Sequence, residues 1–526
     1  MNKFRITKER SYDIICCIVM ILFALAILLI FSRETSPLFG SAFHKMDSIQ
    51  YKSAGAGILD GVVPFKDSFH QKGVSFFYIE ALGEFLCRIL NDNRLGTFII
   101  QFMNFVASLC FMFSTAKMLL KKVCNKPGLA RGISLLSICP AMYLFVSTFM
   151  PGNYTEEFSI LFNLISLWLC AKYIIKIEEG NSDTYIHKPI YAFVHALMFS
   201  FAFWIRPNNC IGVCTVVAFI VVFLIIKKQY KNLFQNAGMF LLGFACSTLL
   251  FLSYYIFNGA LADVWYCQFA VNVGYVSANS KIFVEILIPL FLCILYGLYM
   301  LLIKKSDFIL ALLCEISSVC MLLMYLILGS QYAHYTMFIM LPVFIFTLLV
   351  IRNVEINSFK RIFSLHILIP FVLFLGASYV HYNIIYDGTY RSLKGIAAIQ
   401  SGEISGEADS ERIGKVLSDV IPDESKDNIY IYPPNFDSHQ IYYYSGAYSF
   451  YKYANPGWYE YMGAVNSSNE FYTELFNNSP EYIVVNECIT EIEDYEYSQR
   501  TELFMEENYA PWYEGDGFKV LKYVNK

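Results

Sequence analysis

Long apolar runs separated by short polar connections dominate the first 382 residues, and shorter mixed patterns fill the rest. A bilayer core of about 30 Å requires about 20 apolar residues per helix. Eleven segments meet that length: 14–32, 95–116, 133–150, 155–175, 189–205, 207–226, 237–257, 283–303, 308–329, 334–351 and 362–380. The first reads as a span and not a cleaved leader, because it is long and no small-x-small site follows Phe31. The stretch 73–90 is also apolar, but Glu80, Glu84 and Arg88 recur at i, i+4, i+8. That spacing places all three on one helical face, where Glu84 and Arg88 can pair. Such a helix is expected to lie along the membrane interface.

The tail carries a different pattern. An amphipathic helix is expected at 408–420 (Ile413, Val416, Leu417, Val420), then a strand at 428–433 ended by Pro433-Pro434. A helix at 468–477, a strand at 482–486 and a strand at 518–523 follow. The fold class is therefore an α-helical polytopic membrane protein of about eleven transmembrane helices with a small C-terminal α/β domain. The expected division is 1–382, which includes a long first loop at 33–94, and 383–526.

Composition agrees with this reading. Only 16% of residues are charged and 56% are apolar, against roughly 25% charged in soluble proteins, so a soluble globular enzyme is excluded. The net charge of −4 hides a split. Residues 383–526 hold 24 acidic and 10 basic side chains, and the remainder holds 19 and 29. Basic residues collect in alternate connections: Lys3, Arg5, Lys8 and Arg10; Lys121, Lys122, Lys126 and Arg131; Lys227, Lys228 and Lys231; Lys304 and Lys305; Arg352, Lys360 and Arg361. The short opposite connections near Pro151, Pro207 and Ser330 are nearly free of Lys. The positive-inside rule then makes the N-terminus cytoplasmic, and an odd span count puts the acidic tail outside. No basic stripe points to nucleic acid. Fourteen of the 15 Cys precede residue 383 and none forms a CxxC pair, so they read as small apolar filler.

The candidate chemistry lies in the first outside loop and in the outer ends of later spans. Asp47 and Tyr51 sit at i, i+4; Pro64-Phe65-Lys66-Asp67 marks a turn and, with Gly61, completes a G-x-x-P-F-x-D motif; His70-Gln71-Lys72-Gly73 opens the interfacial helix. Gly152-Asn153-Tyr154-Thr155-Glu156-Glu157, Arg206-Pro207-Asn208, Asn258-Gly259-Ala260-Leu261 with Asp263 and Trp265, and Tyr332-Ala333-His334-Tyr335 follow in order. Each residue also has a plain structural reading. Acids such as Asp47, Glu156 and Glu157 are favoured in a helix's first turn. Lys72 and Arg206 are placed to snorkel, and His70 and His334 to make structural hydrogen bonds. Glu315, mid-span, costs roughly 2–3 kcal/mol in lipid and is expected to face the bundle interior. The aromatic-rich 442–459 stretch suits either sugar stacking or rest against the membrane portion.

This series of motifs resembles the polyprenyl-phosphate-sugar-dependent glycosyltransferases of the GT-C fold. The likeness is to the branch around protein O-mannosyltransferases and lipid A aminoarabinose transferases, glycosyltransferase family 39. Many relatives have Pro-Pro after the Lys, whereas Lys72 is followed by Gly73-Val74, as in a bacterial sub-branch. The resemblance implies a cell-membrane enzyme that transfers a sugar from polyprenyl phosphate to an acceptor hydroxyl on the outer face, inverting the anomeric centre. The acceptor would be a cell-envelope glycopolymer, lipid or protein. It implies Asp47 as general base with Glu156 and Glu157 as further acids, and Lys72, Arg206, His334 and Tyr335 around the donor phosphate. Tyr51, Asp67, His70 and Asn153 would contact substrate. No metal ligand set is assigned, and a divalent cation stays open as cofactor. No nucleotide-binding loop of the GxxxxGK[ST] kind is present. The readings set against it are a multispan glycolipid flippase or exporter, which calls for polar mid-span linings, and a polysaccharide polymerase or ligase.

Overall fold

The computed structural model describes residues 8–44, 46–180, 185–274, 284–328, 332–354, 364–488 and 495–524. Lys3, Arg5, Ser330, Lys360 and Arg361 lie outside the described residues. Among the described residues, nine helices are long and apolar enough to cross a membrane: Glu9–Phe31, Leu95–Leu119, Pro127–Phe149, Thr155–Glu178, Pro207–Ile226, Tyr230–Phe257, Val284–Lys304, Phe308–Ile327 and Ala333–Arg352. The protein is a multi-pass membrane protein. The sequence pattern called for eleven spans, and the two others differ for identifiable reasons. The segment at 189–205 forms a helix, Pro189–Ile205, of 17 residues, or about 26 Å at 1.5 Å per residue. The segment at 362–380 becomes a pair, Leu365–Ala377 and Tyr379–Gln400, bent by 64°; counted as one crossing, it makes ten.

The helices and strands named below are α1 (Lys8–Phe31), α2 (Met46–Asp60), α3 (Val74–Leu90), α4 (Thr155–Glu178), α5 (Asp409–Val420), α6 (Phe436–Ser445), β1 (Ile429–Tyr432), β2 (Tyr482–Asn486), β3 (Tyr509–Gly515) and β4 (Phe518–Tyr523). The chain clusters into two compact units. The first comprises Met1–Ser36, Ile99–Phe251 and Asn279–Lys394; the second comprises Pro37–Phe98, Leu252–Ala278 and Gly395–Lys526.

The first unit is the helical bundle, whose helices turn apolar side chains both inward and outward, as lipid-facing helices do. The loop before α4 is pressed against the end of α1. Gly152 has φ +92°, and a Cβ there would stand 2.2 Å from Ser32 Oγ, so only glycine fits.

The second unit joins the long loop after α1 to the tail. The tail's sheet has the order β1-β2-β4-β3, with β1 and β2 parallel and the other pairs antiparallel. Its core is built from Ile413, Leu417, Ile429, Ile431, Ile441, Val484 and Val520. The expected helices and strands of the tail all form, and α6, β3 and a helix at Tyr495–Asn508 are additional. Helices α2 and α3 cross closely, because a Cβ on Gly55 would stand 2.6 Å from the backbone carbon of Glu80. Loop and tail are tied by Ala42 N donating to Gly406 O at 3.1 Å and Phe69 N to Lys452 O at 2.8 Å. Ala408 N donates to Ser41 Oγ at 2.8 Å.

Helix α3 turns an apolar face outward. Glu80 and Glu84 are 1% and 4% exposed, whereas Leu82, Phe85 and Ile89 are 51%, 50% and 63% exposed. Glu80 and Glu84 face the unit's interior, Arg88 lies at the surface, and the apolar stripe faces out. Arg88 pairs with Asp60, not Glu84, through two contacts of 2.7 Å.

Candidate functional site

Two groups of the residues singled out in the sequence are built separately, one in each unit. In the bundle, Glu156 and Glu157 occupy the first turn of α4, and successive residues on a helix diverge by about 100°. The two carboxylates therefore meet different partners. Glu156 Oε1 accepts from Arg206 Nη1 at 2.9 Å and its Oε2 accepts from Thr155 Oγ1 at 2.8 Å. The Arg206 guanidinium also lies over the Tyr335 ring, 4.4 Å from its centroid. His334 stacks on Tyr154 with centroids 4.1 Å apart and meets the edge of Tyr335 at 4.6 Å. Glu156, Arg206, His334 and Tyr335 thus form one cluster, although they come from three distant segments.

Glu157 belongs to another chain of contacts. Its Oε1 accepts from Gln101 Nε2 at 2.7 Å, and Gln101 Oε1 accepts from Ser32 Oγ at 2.9 Å. A cavity of about 10 Å³ borders Gln101, Asn104 and Glu157, room for about one water. Asn153 is buried beside this turn with φ +59°.

The turn that carries Arg206 is held to α4 by an amide network. Asn163 Nδ2 donates to Asn209 O at 2.9 Å, Asn163 Oδ1 accepts from Val213 N at 2.8 Å, and Asn209 Nδ2 donates to Ser159 Oγ at 2.8 Å. Sequence reasoning passed over Gln101, Asn163 and Asn209. Their signal was available, because an amide inside an apolar span is costly unless it is satisfied.

In the second unit, Asp47 is half-buried in the first turn of α2, where a carboxylate complements the macrodipole. Tyr51, one turn on, is buried with its ring edge-on to Phe76 at 4.9 Å. Asp67 is exposed, and its Oδ2 accepts from Val63 N at 2.8 Å, which closes the Pro64-Phe65 turn. His70 is buried, 3.1 Å from Ser68 Oγ and against Phe77. Burial, reinforced by His439, lowers its pKa to about 3, so the ring is neutral at pH 7. Lys72 is 8% exposed just before α3. Neither Lys72 nor Asp47 forms an ion pair with another described residue. Among the described residues, no group of three or more His, Cys, Asp or Glu is arranged to hold a metal ion.

One buried acid went unassigned in the sequence. Glu84 of α3 accepts from Tyr443 Oη at 3.0 and 2.9 Å. Burial pushes its pKa up to about 7, against the opposing pull of Lys52 and Tyr443.

No protein-family model matches the chain, and no curated protein matches its sequence. Solved structures do match. ArnT from Cupriavidus metallidurans in the apo state aligns with TM-score 0.53 at 10% identity, covering 96% of this chain and 97% of that one. The same protein bound to undecaprenyl phosphate aligns with TM-score 0.53 at 10% identity, covering 96% and 98%. The architecture is accordingly that of ArnT, the GT-C arrangement which the sequence motifs resemble.

Proposed function

We propose that this chain is an integral-membrane glycosyltransferase that moves a sugar from polyprenyl phosphate to a hydroxyl of a cell-envelope acceptor on the outer face. The observation that carries this reading is the fold likeness over 96% of the chain to a protein also solved with undecaprenyl phosphate. The acceptor oxygen attacks the anomeric carbon as the bond from that carbon to the lipid phosphate oxygen breaks, so the configuration inverts. The acceptor proton passes to Asp47, which acts as general base. The lipid phosphate leaves with the bonding pair, and its growing negative charge calls for fixed cations, the role that the motif resemblance implies for Lys72 and for Arg206.

The geometry refines the other roles. Glu156 acts through Arg206 as a positioning residue, holding the guanidinium while the Tyr335 ring supports it from one face, with His334 alongside. Glu157 secures the outer end of α4 through Gln101. Tyr51 and Asp67 shape the loop that bears Asp47 and Lys72, neutral His70 offers a hydrogen bond to substrate, and Asn153 shapes the turn into α4.

Two measurements test the proposal. Purified protein should bind undecaprenyl phosphate in native mass spectrometry, and Lys72→Met should weaken that binding. Membranes carrying the protein should release polyprenyl phosphate from polyprenyl-phosphate hexose or pentose, and Asp47→Asn should lower the rate by about 10²-fold or more. Wild-type protein that binds no undecaprenyl phosphate, or Asp47→Asn that turns over normally, would overturn the assignment. Directed movement of intact glycolipid without sugar transfer would favour the flippase reading.

A further inference from the structure

Helix α2 has two working faces. At about 100° per residue, Asp47 and Tyr51 share one face, while Ser53, Ala56 and Asp60 cluster around the opposite one. That second face borders a cavity of about 340 Å³, which α3 and α6 complete with Glu84, Arg88 and Tyr443. The cavity shares Asp60, Gly446 and Tyr448 with a more open one of about 890 Å³ that runs past Tyr451 and Lys452. The two cavities adjoin at these three residues as a groove whose lining lies within the second unit. Along the helix axis it begins about 9 Å from Asp47 and reaches about 20 Å from it, at 1.5 Å per residue.

The walls are polar, aromatic and already ordered. Arg88 grips both carboxylate oxygens of Asp60 at 2.7 Å, and Tyr448 Oη donates to Asp60 Oδ2 at 2.8 Å. Tyr448 lies against α2 at Gly57, where a Cβ would meet its ring at 3.6 Å, an ordinary contact distance. Tyr443 Oη is held by Glu84, and Ser53 Oγ is buried with no hydrogen-bond partner among the described residues. A carboxylate has about four lone-pair sites, so Asp60 and Glu84 keep acceptor capacity after these bonds. Fixed donors and acceptors beside tyrosine rings match the chemistry of a sugar ring, which offers hydroxyls in both roles around apolar C–H faces.

Charge narrows the ligand. Seven carboxylates and four cations line the two cavities, so a phosphate or a uronic acid would meet net like charge. We propose that this groove binds a neutral or amino-bearing oligosaccharide, separately from the reaction at Asp47. Its use as an anchor for the sugar chain of the acceptor rests on the transferase reading above; the binding itself does not.

Full-length protein in detergent, titrated calorimetrically with tetrasaccharides of N-acetylglucosamine, glucosamine and galacturonate, tests the proposal. The neutral or the amino sugar is expected to bind saturably, and galacturonate at least about tenfold more weakly. Ala56→Leu, which fills the cavity, and Tyr448→Ala should each weaken binding by about tenfold, the worth of one or two net hydrogen bonds. Tyr448→Phe is the milder variant should Tyr448→Ala fail to fold. Asp47→Asn should bind the sugar normally. The proposal falls if no tetrasaccharide binds, if galacturonate binds best, or if both Ala56→Leu and Tyr448→Phe leave affinity unchanged. Undecaprenyl phosphate binding in the same preparation separates the two proposals. Its loss with sugar binding intact would overturn the transferase alone, and the reverse would overturn the groove alone.

Discussion

Arg206 and Glu156 show how far a single residue can be read in advance. Both stood out as charges at the outer ends of apolar helices, but their pairing was not legible, because 49 residues separate them and no local periodicity links them. Pairing changes what substitution should do. Arg206→Met leaves Glu156, 1% exposed, as an uncompensated buried charge, at a cost of about 3–5 kcal/mol. The double variant Glu156→Gln with Arg206→Met should recover most of the lost thermal stability in detergent while transfer stays low. A double variant no more stable than Arg206→Met would remove the argument that Glu156 serves Arg206. Glu84 gives a second residue-level expectation. Its pKa is raised from 4.5 to about 7, so between those values the folded protein holds a proton that the unfolded chain releases. Stability should therefore fall as pH rises from about 4.5 to about 7 and level off above. Glu84→Gln can still accept from Tyr443, and it should flatten that part of the melting-temperature profile.

At the scale of elements, α3 is the instructive case. Its i, i+4, i+8 charges correctly marked an amphipathic helix, yet periodicity says which residues share a face and not which way that face points. The direction is set by partners far along the chain: Tyr443 takes Glu84, and Asp60 takes Arg88. With Glu84 satisfied inside the unit and Arg88 paired at its surface, the strip of Leu82, Phe85 and Ile89 is left outside. A contiguous exposed apolar strip calls for an apolar neighbour, and at this point of the chain the bilayer interface supplies one. Phe85→Trp should consequently add blue-shifted fluorescence that brominated lipid quenches, relative to wild type. Unquenched, red-shifted emission would place the strip in water. The tail strands were easier to read, since their short apolar runs ended at Pro433-Pro434 or similar breaks. Helix α6 was hidden because its Tyr442-Tyr443-Tyr444 run has no helical period.

For the whole molecule, the spans read from the sequence carry a parity argument. Five qualifying helices and the shorter Pro189–Ile205 lie between the first two pieces of the second unit, and three qualifying helices and the bent pair lie between the last two. If Pro189–Ile205 crosses and the bent pair crosses once, the total with Glu9–Phe31 is eleven, and Lys227, Lys228 and Lys231 fall on the same side as Lys121 and Lys122, as the positive-inside rule requires. Eleven crossings from a cytoplasmic N-terminus would put the tail outside, an expectation that labelling tests. Cys488 is a native reporter of this arrangement, exposed and the single cysteine after residue 382. Burial and the neighbouring Asp409 push its thiol pKa up, so labelling belongs at pH 8 or above, where thiolate is more abundant. A charged, impermeant maleimide applied to intact cells should modify the wild-type chain but not Cys488→Ser, because the other exposed thiols, Cys139 and Cys246, sit within apolar helices. Modification of Cys488 only after lysis would put the tail inside, reverse the orientation and remove the outer-face reaction with it.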